Sequence, residues 1–212
     1  MEREERVKEI LRRLKKIYEP KTALIFSNPW ELLVATILSA QTTDERVNMV
    51  TRDLFKKYKN IKDYADAPLE ELERDIKSVN YYRTKAKNIK SCAQIILEKY
   101  NGKVPDSMEE LLKLPGVARK TANVVLSAGY GKNEGIVIDT HVFRLSHRLG
   151  LSNEKDRVKL EFDLMKIVPH EEWGNFSFLL IDHGRNTCKA QKPLCNECVL
   201  ADICPSVSSK ML

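Results

Sequence analysis

Four cysteines, Cys188, Cys195, Cys198 and Cys204, fall in the segment CKAQKPLCNECVLADICP with the spacing C-x6-C-x2-C-x5-C. Four thiolates on one short loop can bind Zn²⁺ or an iron–sulfur cluster. Zinc knuckles usually present two short Cys-x2-Cys pairs, and here there is one. The wider gaps leave loop for a larger object, so the spacing favours a [4Fe–4S] cluster over zinc. Lys189 and Lys192 lie between the first two ligands. A loop wrapped around a cluster would splay them outward, where they could contact phosphate. The fifth cysteine, Cys92, sits on the inward face of a helical pattern and reads as a small buried apolar residue.

A second stretch with chemical potential is LPGVARKTANVVLSAGYG, Leu114 to Gly131. A Pro-Gly turn leads into a helix whose first turn holds Arg119 and Lys120. Cations are unfavourable at a helix N-terminus, so their placement needs a reason. Gly116 lets the backbone approach a partner with no side chain in the way. The amides of Gly116, Val117 and Ala118 then point at one place, suited to a phosphate and to sequence-independent DNA contact.

The elements that must position these groups are helical. Val7, Ile10, Leu11, Leu14 and Ile17 follow helical spacing up to Pro20. NPWELLVATILSA has Asn28 as N-cap, Pro29 at the first helical position and Glu31 in capping-box position, and is apolar nearly all round, as in a buried central helix. The next helix sets Val47, Val50, Leu54 and Tyr58 on one face, which leaves Gln41 at a tight junction. Further helices are predicted over 69–77, 84–100, 140–149, 155–167 and 172–187, and Ser107 with Glu110 suggests a capping box for MEELLKL. Only GIVID, Gly135 to Asp139, looks extended, and one short segment makes no sheet. The expected fold class is all-α.

The chain has 212 residues with Lys and Arg exceeding Asp and Glu by 36 to 30, a net charge of +6. That excess is compatible with a polyanionic partner. No apolar run reaches the roughly 20 residues a bilayer span needs, so no membrane partner is expected. The charged N-terminus, MEREERVKEILRRLKK, lacks a signal-peptide apolar region. The expected location is intracellular, cytoplasmic and nucleoid-associated.

LPGVARKTA, then VIDTHVFRLSHRLGL, then the four-cysteine cluster, with ILSAQTTDERVN earlier, resemble the endonuclease III family over nearly the whole chain. These are helix-hairpin-helix DNA repair glycosylases with a [4Fe–4S] cluster. The resemblance implies a two-lobed fold: a six-helix barrel over 22–134 with the hairpin, and a cluster domain from 1–21 plus 135–212, with DNA in the cleft between them. It implies a monomer acting on double-stranded DNA with damaged bases or abasic sites.

By resemblance Lys120 is the catalytic lysine and Asp139 the catalytic aspartate. A lysine is a poor nucleophile at its reference pKa of about 10.4. Arg119, a helix N-terminus and partial desolvation would each favour the free amine. That amine can attack C1′, expel the base, form a Schiff base and cut the strand 3′ to the lesion by β-elimination. Asp139 could activate Lys120 or stabilise charge on the sugar, and could also cap the following helix. Gln41 matches a side chain that fills the space of a flipped nucleotide.

Two positions depart from the family pattern. Asn80-Tyr81 stands where glycine and an aliphatic residue are usual in the wedge loop; Asn80 would tolerate a left-handed backbone and Tyr81 could stack on the orphaned base. Ala118 replaces the hairpin's second glycine. Arg144 and Arg148 face either DNA or acids, and His141 and His183 are read as structural. The expected activity is a bifunctional glycosylase and lyase acting on oxidised pyrimidines. One alternative is a mismatch-specific adenine or thymine glycosylase, against which stand Lys120 and a chain with only eight residues after Cys204. The other is a non-catalytic iron–sulfur DNA-binding or redox protein.

Overall fold

A computed structural model describes residues 1–208. The chain divides into two compact units, one joining Met1–Lys21 to Gly135–Leu212 and the other running from Thr22 to Glu134. No strand occurs among the described residues.

Helix α1 spans Arg3–Leu14 and buries Val7, Ile10, Leu11 and Leu14. It stops one turn short of the expected end, and Ile17 is half exposed. In the Thr22–Glu134 unit, α2 (Pro29–Ser39) starts where Asn28 accepts the Glu31 amide at 3.0 Å. The Glu31 carboxylate closes that end on Ser27 N, at 2.7 Å, one residue earlier than a capping box would. All residues of α2 from Leu32 to Leu38 are buried, as its all-round apolar character requires. Helix α3 (Asp44–Lys57) packs on it, followed by α4 (Ile61–Asp66) and α5 (Leu69–Asp75). On α3, Val47 and Leu54 are buried while Val50 is half-buried.

Helix α6, Tyr82–Tyr100, packs against α2, α4 and α5. Next come α7 (Met108–Leu111) and α8 (Arg119–Val124), which widens into a π-turn over Val125–Gly129. Ser107 precedes α7 but makes no side-chain cap. The Met108 amide donates to Glu134 at 2.8 Å, and the Glu110 carboxylate pairs with Lys113 at 2.6 Å.

The other unit continues with α9 (Thr140–Arg148), α10 (Arg157–Met165), α11 (Trp173–Asn186) and a short α12 (Pro205–Ser208). Helix α11 packs on α9 and on α1. The extended segment feeding α9 buries Ile136, Val137 and Ile138 without a strand partner. Side chains satisfy its backbone: Ser177 Oγ accepts the Val137 amide at 2.9 Å, and Arg157 donates to Ile138 O at 3.3 Å.

Candidate functional site

The hairpin turn is built on α6. Gly116 has φ +75°, a region other residues enter only with strain. A Cβ there would also collide with the Asn88 amide, whose Cγ lies 3.0 Å from that point. One turn further along α6, the Cys92 thiol donates to Pro115 O at 3.2 Å. Cys92 is fully buried, and burial pushes its thiol up to about 12, so it remains a protonated donor. The predicted apolar role is thus only part of what it does.

Above this support, Val117 is buried and its amide donates to Leu114 O at 3.2 Å, within the turn itself. Ala118 is the N-cap of α8 with φ −94° and ψ 170°, an extended conformation that alanine adopts without strain. The family's second glycine is therefore dispensable for this backbone. The first internal rung of α8 is Ala122 N to Ala118 O, at 3.0 Å. The amides before it belong to the open end of the helix. Lys120 is exposed in this first turn and Arg119 is half-buried beside it.

The same unit brings Gln41 and the Asn80–Tyr81 loop together. Gln41 is exposed and left-handed at φ 55°. In that loop the left-handed residue is Tyr81 (φ 58°), not Asn80, and Tyr81 is 65% exposed. Asn80 is instead a connector: its side-chain amide donates to Gln41 O, and its backbone amide donates to Thr42 Oγ1 at 3.3 Å. A groove lined by Trp30, Tyr58, Leu97 and Tyr130 lies in this unit but contains none of the predicted site residues.

Asp139 belongs to the other unit, where it caps α9. Its Oδ1 accepts the His141 and Val142 amides, each at 2.8 Å, and its Oδ2 pairs with His141 Nδ1 at 2.7 Å. Capping and imidazole together fix the direction of the carboxylate.

The cysteine loop follows α11. Arg148 donates to Lys189 O at 2.7 Å, to Ala190 O at 2.9 Å and to Cys188 Sγ at 3.4 Å. Arg144 donates to Cys188 O at 2.9 Å and Gly184 O at 3.1 Å. Both arginines therefore hold the start of this loop through its carbonyls. Leu200 N donates to Cys198 Sγ at 3.4 Å, and the buried His183 places Nε2 3.5 Å from the same sulfur. Burial pushes His183 down to about 4, which keeps the ring neutral.

Burial also pushes the Cys198 and Cys204 thiols up, and the other cluster cysteines push the same way. Clustered sulfurs need a cation to exist together as thiolates. A single tetrahedral zinc would draw them to within roughly 3.8 Å of each other. Among the described residues no three His, Cys, Asp or Glu side chains converge on one ion in that way. Thiolates that receive N–H and guanidinium donors fit an iron–sulfur cluster, which would cross-link the loop when bound. Lys189 and Lys192 are exposed on this loop, Lys192 at φ 51°.

Comparison with known proteins agrees with this arrangement. Residues 34–170 match the HhH-GPD superfamily of base excision DNA repair proteins. Residues 188–204, from the first cluster cysteine to the last, match the iron–sulfur binding domain of endonuclease III. The chain belongs to the endonuclease III family. It is 51% identical to endonuclease III of Synechocystis sp. over 98% of this chain and 95% of that one. Identity to endonuclease III of Bacillus subtilis is 53% over 85% and 83%. A solved non-covalent endonuclease III–DNA complex superposes with a TM-score of 0.93 at 45% identity, covering 100% of this chain and 99% of that one. As an endonuclease III family member the chain is a DNA-binding base-excision repair enzyme, a glycosylase and abasic-site lyase with a [4Fe–4S] cluster.

Proposed function

We propose that Lys120 is the nucleophile of this glycosylase and lyase, that Asp139 assists it, and that the substrates are oxidised pyrimidines and abasic sites in double-stranded DNA. The observation that carries this is the hairpin: an exposed lysine in the first turn of α8, next to amides with no intrahelical acceptor, on a turn braced by Asn88 and Cys92. Those amides, at Gly116 and Ala118, suit a phosphate. Bound phosphate offsets the charge of Arg119 and Lys120, which answers why two cations sit at a helix start.

In this scheme the free amine of Lys120 attacks C1′ and the C1′–base bond breaks, its electron pair leaving with the base. The sugar ring opens to a Schiff base. Loss of a C2′ proton then drives β-elimination, which breaks the C3′–O bond and cuts the strand 3′ to the lesion. The Asp139 carboxylate, held in one direction by His141, accepts a proton from the amine or stabilises positive charge on the sugar. Gln41 and Tyr81 fill the space of the flipped nucleotide, with Tyr81 stacking on the orphaned base. Lys189 and Lys192 contact phosphates, with the Val117 amide committed inside the turn. The enzyme works as a monomer, in the nucleoid of the cytoplasm; no helix among the described residues is long and apolar enough to cross a membrane.

Borohydride trapping on an abasic duplex tests the scheme. Wild type is expected to give a covalent adduct, and Lys120→Ala none. Equal trapping by both proteins rejects Lys120 as the nucleophile.

A further inference from the structure

We propose that Lys85 is a positioning residue that clamps the Gln41 loop to the Tyr81 loop, so that both enter the duplex as one unit. The proposal builds on the assignment of Gln41 and Tyr81 to the DNA gap made above, and extends it to what holds them there.

Lysine is almost never fully buried unless paired. Lys85 is 4% exposed, and among the described residues its ammonium meets only oxygens that carry no charge. Leu38 O lies at 2.8 Å, Ala40 O at 2.6 Å and Thr42 Oγ1 at 3.3 Å. An ammonium has three protons, and here three acceptors take them. Two are carbonyls at the C-terminal end of α2, where a helix leaves acceptors unsatisfied and its dipole favours a cation. The ammonium thus pins the point where the chain leaves α2 and turns through left-handed Gln41. Burial brings Lys85 down to about 8, so at neutral pH it keeps all three protons.

The same residue grips the second loop through its backbone. Lys85 N donates to Tyr81 O at 3.1 Å, one helical turn back. Thr42 Oγ1, which receives the Lys85 ammonium, also receives the Asn80 amide, and the Asn80 side chain returns to Gln41 O. A closed ring of bonds therefore runs from Lys85 through Thr42 and Asn80 to Gln41 and Tyr81. Gln41 and Tyr81 are the two members of this ring in the left-handed region. Such strain persists only where the surroundings over-determine the backbone. A lysine serving stability alone has no need to join two exposed, strained residues on separate loops.

The test uses the full holoenzyme and a duplex carrying 2-aminopurine opposite an abasic analogue, read by stopped-flow fluorescence. Lys85→Met keeps the stem and removes the donors. It is expected to slow the fluorescence change about tenfold while affinity for undamaged duplex stays within twofold. Gln41→Ala is expected to slow wild type by a similar factor, and to add less than twofold on top of Lys85→Met. Wild-type kinetics in Lys85→Met, or a full additional loss from Gln41→Ala in that background, overturns the clamp. If Lys85→Met does not fold, Thr42→Val breaks the ring at its shared hydroxyl: several-fold slowing supports the clamp, and unchanged kinetics overturns it. Unchanged kinetics in both Gln41→Ala and Tyr81→Ala would instead remove the gap-filling assignment itself, and the clamp with it. Loss in those two with none in Lys85→Met removes the clamp alone.

Discussion

At the scale of single residues, function and stability part company at Tyr81. Its left-handed backbone carries a strain of roughly 1–2 kcal/mol, which glycine would relieve. Glycine's greater freedom in the unfolded chain returns about 0.5–1 kcal/mol of that. With the ring mostly exposed, Tyr81→Gly is expected to change unfolding free energy by no more than about 1.5 kcal/mol. Loss of stacking, worth about 1–3 kcal/mol per base, is expected to slow lesion cleavage by about fivefold to a hundredfold. Urea melts beside cleavage kinetics would show it, and a large stability loss would place the ring in the packing instead. Lys85 gives a pH signature. Its folded pKa of about 8 lies below the unfolded value near 10.4. Between these values the unfolded chain holds a proton that the folded chain has released, so stability rises with pH across that window and is flat below it. The rise is at most about 3 kcal/mol. Denaturation at pH 7.5 and pH 10 is expected to show it in wild type and not in Lys85→Met.

At the scale of elements, α6 is the common support. Tyr81, Lys85, Asn88 and Cys92 succeed one another at spacings of four, three and four residues, which places them on one helical stripe. Gly116→Ala is expected to lower melting temperature and trapping yield, through left-handed strain of about 1–2 kcal/mol and the collision with Asn88. Adding Asn88→Ala removes the collision alone and is expected to recover part of the trapping. A double variant no better than the single would mean that Asn88 does not set the height of the turn. This stripe was hard to see in the sequence. Lys85 reads as an ordinary exposed helix lysine because its acceptors lie 43 to 47 residues away. Asn80 was the natural choice for the left-handed position, yet its side chain is committed to Gln41 and the strain passes to Tyr81. Local chemistry was legible: the Asn28 cap needs only its own next three residues. The Ser107 capping box does not form, and the Glu110 carboxylate pairs with Lys113 and with Tyr100 from α6.

At the scale of the whole molecule, the chain's positive charge makes DNA binding fall with salt. Replacing both Lys189 and Lys192 with alanine is expected to reduce the slope of log K against log salt by about 1.8, or roughly 0.9 for each phosphate no longer neutralised. An unchanged slope would mean that the cluster loop does not touch phosphate. The helical class was legible because apolar residues recur with a period of 3.6, and the cluster because its four ligands fall within seventeen residues. What holds the start of the cluster loop was not, since Arg148 reaches its carbonyls from about forty residues earlier. Helix α1 carries one more consequence. Val7, Ile10, Leu11 and Leu14 share a core with Val142, Leu145, Leu160, Phe176 and Leu200. During synthesis α1 leaves the ribosome well before its packing partners, which lie beyond residue 135. At about 5–20 residues per second, its apolar stripe waits on the order of ten seconds or more for cover, while the Thr22–Glu134 unit emerges in between. The six charged residues among the seven positions from Glu2 to Lys8 give the nascent chain a soluble face during that interval.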